Sequence, residues 1–266
     1  MSGKCIIKNI VIGQGTPKIC VPLMGSTKED LVHGAKKILE AAKSTVIDIV
    51  EFRGDYFRDL NKYDELAEVM KCLSEMFSDI ILLFTIRSEK EGGEKLSFTE
   101  PSVNEINKFV IENKLADIVD LELFSEKKEK LIEYIELAKK KEVKIIMSNH
   151  DFSKTPDTKE MNERLSAMQD IGADIAKIAV MPKTKEDVAK LISATTYMQE
   201  NRPHTPVVTI SMGKLGAITR ISGQCFGSAI TFSALKNASA PGQIDVIKMR
   251  EILDYIDEIC CDPDTV

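Results

Sequence analysis

The chain has 266 residues, of which 43% are hydrophobic and 29% are charged, a composition typical of a globular protein. Its 36 lysines and arginines against 42 aspartates and glutamates leave a net charge of −6 at pH 7. Both signs are interleaved along the chain, so the charge pattern argues against nucleic acid and membrane surfaces as partners.

The sequence also bears on the cellular location of the protein and on whether it contains a metal site. The longest apolar runs, such as residues 80–84, are too short to span a bilayer, and the N-terminal segment lacks the regions of a signal peptide. We therefore expect a cytoplasmic protein. The six cysteines and three histidines follow no metal-ligand spacing, so we expect no metal site.

Strand and helix patterns alternate along the chain. Residues 4–13 predict one or two short strands, and a strand over 18–24 then leads into a helix over 27–43. Thr27 and Asp30 have the spacing of a capping box at the start of that helix. Further strands are predicted at 46–53, 80–87, 117–123, 143–150, 175–181, 207–212 and 225–232. Further helices are predicted at 63–76, 102–113, 126–140, 159–171, 184–199, 214–221 and 246–259.

About eight such units in a chain of this length predict an α/β fold, a (β/α)8 TIM barrel. No linker or composition break divides the units, so we expect a single barrel domain over residues 1–266. The short N-terminal strands are expected to plug the lower end of the barrel. A doubly wound open sheet is the alternative fold, because periodicity does not reveal whether a sheet closes.

Polar residues recur at alternate positions within the predicted strands, although barrel strands are covered on both faces. Their shared parity should point into the barrel, and most of them lie late in their strands, where barrel enzymes carry their active sites. These residues are Glu51, Arg53, Arg87, Asp120, Glu122, Ser148, His150 and Lys177. An interior network of ion pairs would explain several of them without any catalysis.

Lys177 is flanked by apolar residues and cannot easily reach solvent from a central strand. Burial favours the neutral amine that attacks carbonyls, so this residue indicates a Schiff-base enzyme. His150 is suited to moving protons in such a reaction. Arg53, Arg87 and Arg220 indicate an anionic substrate. Glycines after the last two strands leave a phosphosugar aldolase open as an alternative.

Several short segments occur in an order typical of one enzyme family. They are EFRGD (51–55), FTIRS (84–88), EGGE (91–94), DLEL (120–123), IIMSNHD (145–151), AKIA (176–179), FGSA (226–229) and ASAPGQ (238–243). Together they resemble type I 3-dehydroquinate dehydratase, and the similarity runs from about residue 11 to the last helix. One departure is Ile210, which stands where some family members carry a methionine.

The resemblance implies a (β/α)8 barrel whose lower end is closed by an N-terminal β-hairpin. It also implies a reaction and a mechanism. The enzyme would convert 3-dehydroquinate to 3-dehydroshikimate and water in the shikimate pathway, as a homodimer without a metal or an organic cofactor. Lys177 would form an imine with the C3 ketone, His150 would remove a C2 proton and then protonate the departing C1 hydroxyl, and Glu91 would position His150. The outcome is a syn elimination.

The resemblance also implies a set of substrate-binding residues. They are Glu51, Arg53, Arg87, Met212, Arg220, Phe232, Ser239, Ala240 and Gln243. Among them, Arg220 would hold the substrate carboxylate, and the loop containing Ser239 and Gln243 would fold over the bound substrate. Two alternatives remain: another Schiff-base barrel enzyme, such as a class I aldolase acting on a phosphorylated carbonyl compound, and a barrel that only binds a small acid.

Overall fold

The computed structural model describes residues 3–235 and 242–260, in which parallel strands alternate with helices. The strands are β1 Cys5–Ile7, β2 Ile10–Ile12, β3 Lys18–Leu23, β4 Ile49–Arg53, β5 Ile81–Thr85, β6 Ile118–Glu122, β7 Lys144–Asp151, β8 Ile175–Val180, β9 Val207–Ser211, β10 Ile230–Ala234 and β11 Ile244–Asp245. The helices are α1 Lys28–Ala42, α2 Tyr63–Met76, α3 Val103–Glu112, α4 Lys128–Lys141, α5 Thr158–Asp170, α6 Lys185–Asn201, α7 Ile218–Ile221, α8 Gly223–Phe226 and α9 Val246–Cys260.

The sheet closes into a barrel. Strands β3 to β9 pair in sequence order, all of them parallel, and β10 pairs with β3 at the other edge. A parallel bridge between Val207 and Ser228 joins β9 to the segment that enters β10, and the Ala229 amide donates to the Val207 carbonyl at 2.8 Å. The predicted barrel is therefore confirmed over the doubly wound alternative.

Alternation within the strands separates an inner from an outer layer, as β4 illustrates. Val50 and Phe52 point outward and belong to the main core between the sheet and the helices, whereas Ile49 belongs to a second cluster inside the barrel. Phe52 packs edge-to-face against Phe84 of β5, with ring centroids 5.7 Å apart. The other inward positions of β4, Glu51 and Arg53, lie above Ile49 toward the carboxyl end of the strand.

The N-terminal strands form the predicted hairpin at the lower end of the barrel. β1 and β2 pair antiparallel, and Ile12 packs into the inner cluster with Ile49 and Ile81. Lys8 at the turn donates to the Ile80 carbonyl at 2.7 Å and pairs with Asp117 at 3.0 Å. These contacts attach the hairpin to the amino ends of the strands.

The predicted bounds of the seventh helix and of the last barrel strand were wrong. Residues 214–217 form turns, so the helix predicted over 214–221 shortens to α7, and residues 225–226 belong to α8 rather than to the last strand. Gly227 ends α8 with a φ of 102°, and a Cβ at this position would lie 2.1 Å from the Gln199 side chain. Because that close approach involves a distant helix, the local apolar pattern did not reveal it.

Within the described part of the chain, no helix is long and apolar enough to cross a membrane. The predicted capping box is present at α1, where the Thr27 side chain accepts from the Asp30 amide.

Candidate active site

A cavity opens at the carboxyl ends of the barrel strands. It brings together every described residue that was predicted for the site: Glu51, Arg53, Arg87, Glu91, His150, Lys177, Met212, Arg220, Phe232 and Gln243. Ser239 and Ala240 lie outside the described residues. The site prediction did not include Gly92, Phe152, Ala179 and Ile210, which also line the cavity. Phe152 follows His150 by two residues, so strand alternation could have suggested it.

Lys177 lies in the middle of β8 and is only 4% exposed. Its Nζ is 3.6 Å from a carboxylate oxygen of Asp120 and 4.4 Å from the centre of the Phe232 ring. The ring face and the carboxylate hold the amine at the cavity wall. The sequence predicts only that Asp120 faces inward, because its contact with Lys177 depends on how β6, β7 and β8 pair.

His150 and Glu91 form a hydrogen-bonded pair at the end of β7. Glu91 Oε2 lies 2.9 Å from His150 Nδ1 and also accepts from the His150 backbone amide at 2.9 Å. When Glu91 is ionised its carboxylate can only accept, so it then places the ring proton on Nδ1 and leaves Nε2 as the basic nitrogen. Burial, followed by the charges of Arg87, Lys177 and Arg53, holds the pKa of His150 well below its usual value.

Glu91 reaches this position because of a tightly folded loop. It ends a short 3-10 turn, and Gly92 follows with a φ of 85°, a left-handed conformation that favours glycine. The next residue, Gly93, approaches so closely that a Cβ would lie 1.9 Å from the Arg87 carbonyl oxygen. Burial, and next the charge of Glu122, raise the pKa of Glu91 to about 7.

Arg87 is the centre of an interior network of charges. Its guanidinium pairs with Asp120 at 2.9 Å and with Glu122 at 3.1 Å, and it donates to Ser148 Oγ at 2.8 Å. Although burial alone would lower the pKa of Arg87, the two carboxylates raise it above its usual value. The ion-pair network that the sequence left open is therefore present, and it adjoins the cavity rather than replacing it.

Arg53 forms a bidentate ion pair with Asp55, a residue that the sequence did not indicate as part of the site. Its Nε and Nη2 donate to the two carboxylate oxygens of Asp55 at 2.9 and 2.7 Å. This bidentate geometry fixes the plane of the guanidinium. Glu51, two residues earlier, accepts from the Thr85 hydroxyl at 3.0 Å.

Arg220 lies on α7, lines the same cavity and is 2% exposed. Burial lowers its pKa to about 10, so the side chain stays cationic at neutral pH. The neighbouring Thr219 ties α7 to β9, since its hydroxyl accepts from the Ser211 amide at 3.0 Å. A buried cation fixed in this way can receive a substrate anion.

The glycines that had suggested a phosphate loop have structural explanations. A Cβ at Gly216 would lie 2.1 Å from the Ser211 carbonyl oxygen, and one at Gly223 would lie 2.7 Å from the Ser228 carbonyl oxygen. Close backbone packing therefore requires these glycines without any ligand. Among residues 3–235 and 242–260, no cluster of three or more histidine, cysteine and acidic side chains is arranged to hold a metal ion.

Comparisons with known proteins agree on one family. The family model for type I 3-dehydroquinase matches residues 19–259. The chain is 44% identical to the 3-dehydroquinate dehydratase of Clostridioides difficile (strain 630), over 96% of this chain and 98% of that protein. The crystal structure of type I 3-dehydroquinate dehydratase from Clostridium difficile, with covalently modified comenic acid, superposes with a TM-score of 0.90 at 43% identity, covering 97% of this chain and 99% of that one. The enzyme from Geobacillus kaustophilus HTA426 gives a TM-score of 0.90 at 33% identity, with 96% and 98% covered.

Proposed function

As this chain belongs to the type I 3-dehydroquinase family and is therefore a 3-dehydroquinate dehydratase, a hydro-lyase, we propose that it acts through an imine on Lys177. The observation that carries the proposal is the buried amine of Lys177, which faces the same cavity as the oriented imidazole of His150. Lys177 pairs in register with Ser148, two residues before His150 on the same face of the neighbouring strand. Nucleophile and base therefore act on one substrate.

The reaction begins at the substrate ketone. Lys177 attacks C3 as the deprotonated amine, and the carbinolamine hydroxyl then leaves as water after taking a proton from solvent, so that a protonated imine remains. His150 Nε2 then takes a proton from C2, and the electron pair of that C–H bond moves into the imine to give an enamine. The enamine expels the C1 hydroxyl, which receives a proton from His150 as it leaves. Hydrolysis of the imine returns the amine and 3-dehydroshikimate, so one water is released overall.

The remaining residues bind and orient the substrate. Arg220 supports the carboxylate, because a buried guanidinium favours a bidentate anion. Glu51, Arg53 and Arg87 are assigned to the ring hydroxyls, and Met212 and Phe232 to the apolar wall. Ser239, Ala240 and Gln243 are assigned to a loop that covers the site and excludes water from the imine. As part of the same proposal, the chain is a single-domain homodimer of the cytoplasm.

Borohydride trapping tests the covalent step. The full chain is incubated with 3-dehydroquinate and borohydride, and the product is analysed by intact mass and peptide mapping. A reduced, substrate-derived adduct on the Lys177 peptide is expected. Lys177→Met should abolish both adduct and turnover, whereas Lys144→Met, at the amino end of β7 and paired with Asp174, should keep both.

The variants also separate the roles of the two residues. His150→Ala should lose turnover but still give a trapped adduct, since imine formation needs the amine alone. Formation of 3-dehydroshikimate without any adduct would disprove the imine and leave the dehydratase in place. If the folded protein yields neither, phosphorylated aldehydes and ketones become the substrates to test, and a barrel that only binds would leave Lys177 unmodified with all of them.

A further inference from the structure

A row of polar side chains connects the surface of α5 to the imidazole of His150. Arg164 Nη1 donates to Asn149 Oδ1 at 2.7 Å, and Asn149 Nδ2 donates to Glu91 Oε1 at 3.0 Å. The second oxygen of Glu91 lies 2.9 Å from His150 Nδ1. The other terminal nitrogen of the same guanidinium, Nη2, pairs with Glu160, one turn earlier on the same helix. The row therefore runs from a surface ion pair to the base of the proposed reaction.

Asn149 occupies a position where an apolar residue is expected. It lies between Ser148 and His150 in β7, so its parity is that of Ile145 and Met147, which pack in the core between sheet and helices. Its side chain is nevertheless buried, with 5% of the residue exposed. A buried amide needs partners for its donor and its acceptor, and Arg164 and Glu91 provide them.

The two partners allow the amide only one orientation. A guanidinium has donors alone and an ionised carboxylate has acceptors alone. The Asn149 oxygen must therefore face Arg164, and its NH2 group must face Glu91. A rotated amide would oppose donor to donor and acceptor to acceptor. Arg164 thus acts on Glu91 through Asn149, without touching either Glu91 or the cavity.

We propose that Asn149 and Arg164 are positioning residues that keep Glu91 an ionised, correctly rotated acceptor for His150. The inference rests on the proposed role of His150 as the base and extends it by one layer. A proton on Oε2 of Glu91 would compete with the ring Nδ1–H of His150, and a proton on Oε1 would face the NH2 group of Asn149. Either proton would also remove the charge that strengthens the bond to Nδ1–H, and this bond is what leaves Nε2 as the base.

The charges around Glu91 make this support necessary. Glu122 and Asp120 face it from β6, and both favour the protonated carboxyl group. Arg87, two residues after β5, and the Asn149 hydrogen bond favour the ionised form.

Three cations act on His150 itself, namely Arg87, Lys177 of β8 and Arg53 of β4. Loss of the Asn149 donor removes one of the hydrogen bonds that favour the ionised form of Glu91, so the pKa of Glu91 should rise.

The test is the pH dependence of kcat from pH 5 to 9, measured on the full chain. Asn149→Leu should move the acid limb upward by about one pH unit, because a hydrogen bond to a charged group has about that effect. Asn149→Asp should move it further, since a carboxylate would then face Glu91. Arg164→Met, which keeps the apolar stem, frees the amide to rotate and should give a smaller shift in the same direction.

Lys159→Met is the matched control, because this residue lies on the same helix and its side chain is 87% exposed. Its pH profile should equal that of the parent protein. If Asn149 had only a structural role, its replacement would lower kcat by the same factor at every pH. The proposal is overturned if the acid limb stays at the pH of the parent protein in both Asn149→Leu and Arg164→Met. If Asn149→Leu fails to fold, Arg164→Met on the helix surface decides the matter.

A second readout separates this inference from the proposed function. The chain has three histidines, so the ring nitrogens of His150 can be followed by NMR in protein labelled at histidine. The chemical shifts of these nitrogens should change as Glu91 titrates. The pH midpoint of that change should be higher in Asn149→Leu than in the parent protein, and it should be unchanged in Lys159→Met. An unchanged midpoint in Asn149→Leu would reject the positioning role, even if the parent protein were inactive. Conversely, a higher midpoint in a protein that forms no Lys177 adduct would reject the proposed imine mechanism but support the role of Asn149 in positioning Glu91.

Discussion

Replacing Asp55 with asparagine tests how the arginine side of the cavity is held in place. The Asp55 side chain is fully buried and its carboxylate accepts from two nitrogens of Arg53. It also accepts from the Arg87 amide at 3.3 Å and from the Glu94 amide at 3.1 Å. One carboxylate therefore fixes both a proposed substrate ligand and the two ends of the loop that carries Glu91.

The size of the effect follows from that geometry. Oδ1 accepts from Arg53 Nε and the Arg87 amide, while Oδ2 accepts from Arg53 Nη2 and the Glu94 amide. In either orientation, the asparagine NH2 group would face two donors, and Arg53 would lose its buried counter-charge. Breaking a buried ion pair costs about 3–5 kcal/mol. At roughly 2–4 °C per kcal/mol for a chain of this size, the melting temperature should fall by about 6–20 °C.

Thermal unfolding followed by circular dichroism measures the loss of stability, and steady-state kinetics below the transition measure the effect on the site. We expect Asp55→Asn to raise KM for 3-dehydroquinate, because Arg53 loses its fixed plane, in addition to lowering the melting temperature. Asp59→Asn is the control, since this partly exposed residue pairs with Lys62 at the surface and should cost about 1 kcal/mol or less. A melting temperature of Asp55→Asn equal to that of Asp59→Asn would refute the reasoning.

Three further outcomes are expected. Because burial and Glu122 raise the pKa of Glu91 to about 7, the folded protein holds a proton between about pH 4.5 and 7 that the unfolded chain releases. The urea midpoint of the parent protein should therefore fall relative to that of Glu91→Gln as the pH rises through this window, and a constant difference would contradict the assignment. Leu66→Ala, in the buried face of α2, should lower the free energy of unfolding in urea by about 2–5 kcal/mol and leave kcat at low temperature unchanged. A lower kcat in the folded variant would show that packing between the sheet and the helices controls the site. Arg220→Ala should raise KM for the carboxylate-bearing substrate more than it lowers kcat, and an unchanged KM would assign the carboxylate to another residue.

Local patterns were sufficient for most of the fold. The helix predicted over residues 63–76 has the same bounds as α2, because its apolar residues Leu66, Val69, Met70 and Leu73 lie on one face and meet the sheet. The inward parity of Glu51 and Arg53 followed from strand alternation alone. Such features depend on neighbours in sequence, which a single chain displays.

The features that the sequence did not reveal depend on contacts between distant segments. The delayed start of β10 is one such feature, since Gly227 ends α8 against Gln199 of α6. The partner of Lys177 is another, because Asp120 reaches it across β7. Asn149 shows the same limit, since Arg164 is fifteen residues away and Glu91 lies on the loop after β5. The sequence does show a polar residue at a strand position where the residues of the same face are apolar. This pattern indicates that Asn149 makes a polar contact, but it does not identify the partner.

The register of the sheet explains why charges that belong to different strands act as one unit. Glu122 is paired with Ser148, and Ser148 with Lys177, so three neighbouring strands place polar side chains at the same height in the barrel. Arg87, two residues after the end of β5, reaches Glu122 and Ser148 at that height. A shift by one residue in any of these strands would turn its polar side chains toward the helices and break both the ion pairs and the cavity. The same pairing therefore stabilises the barrel interior and assembles the proposed site, which is why an ion-pair network and an active site are not competing explanations for these residues.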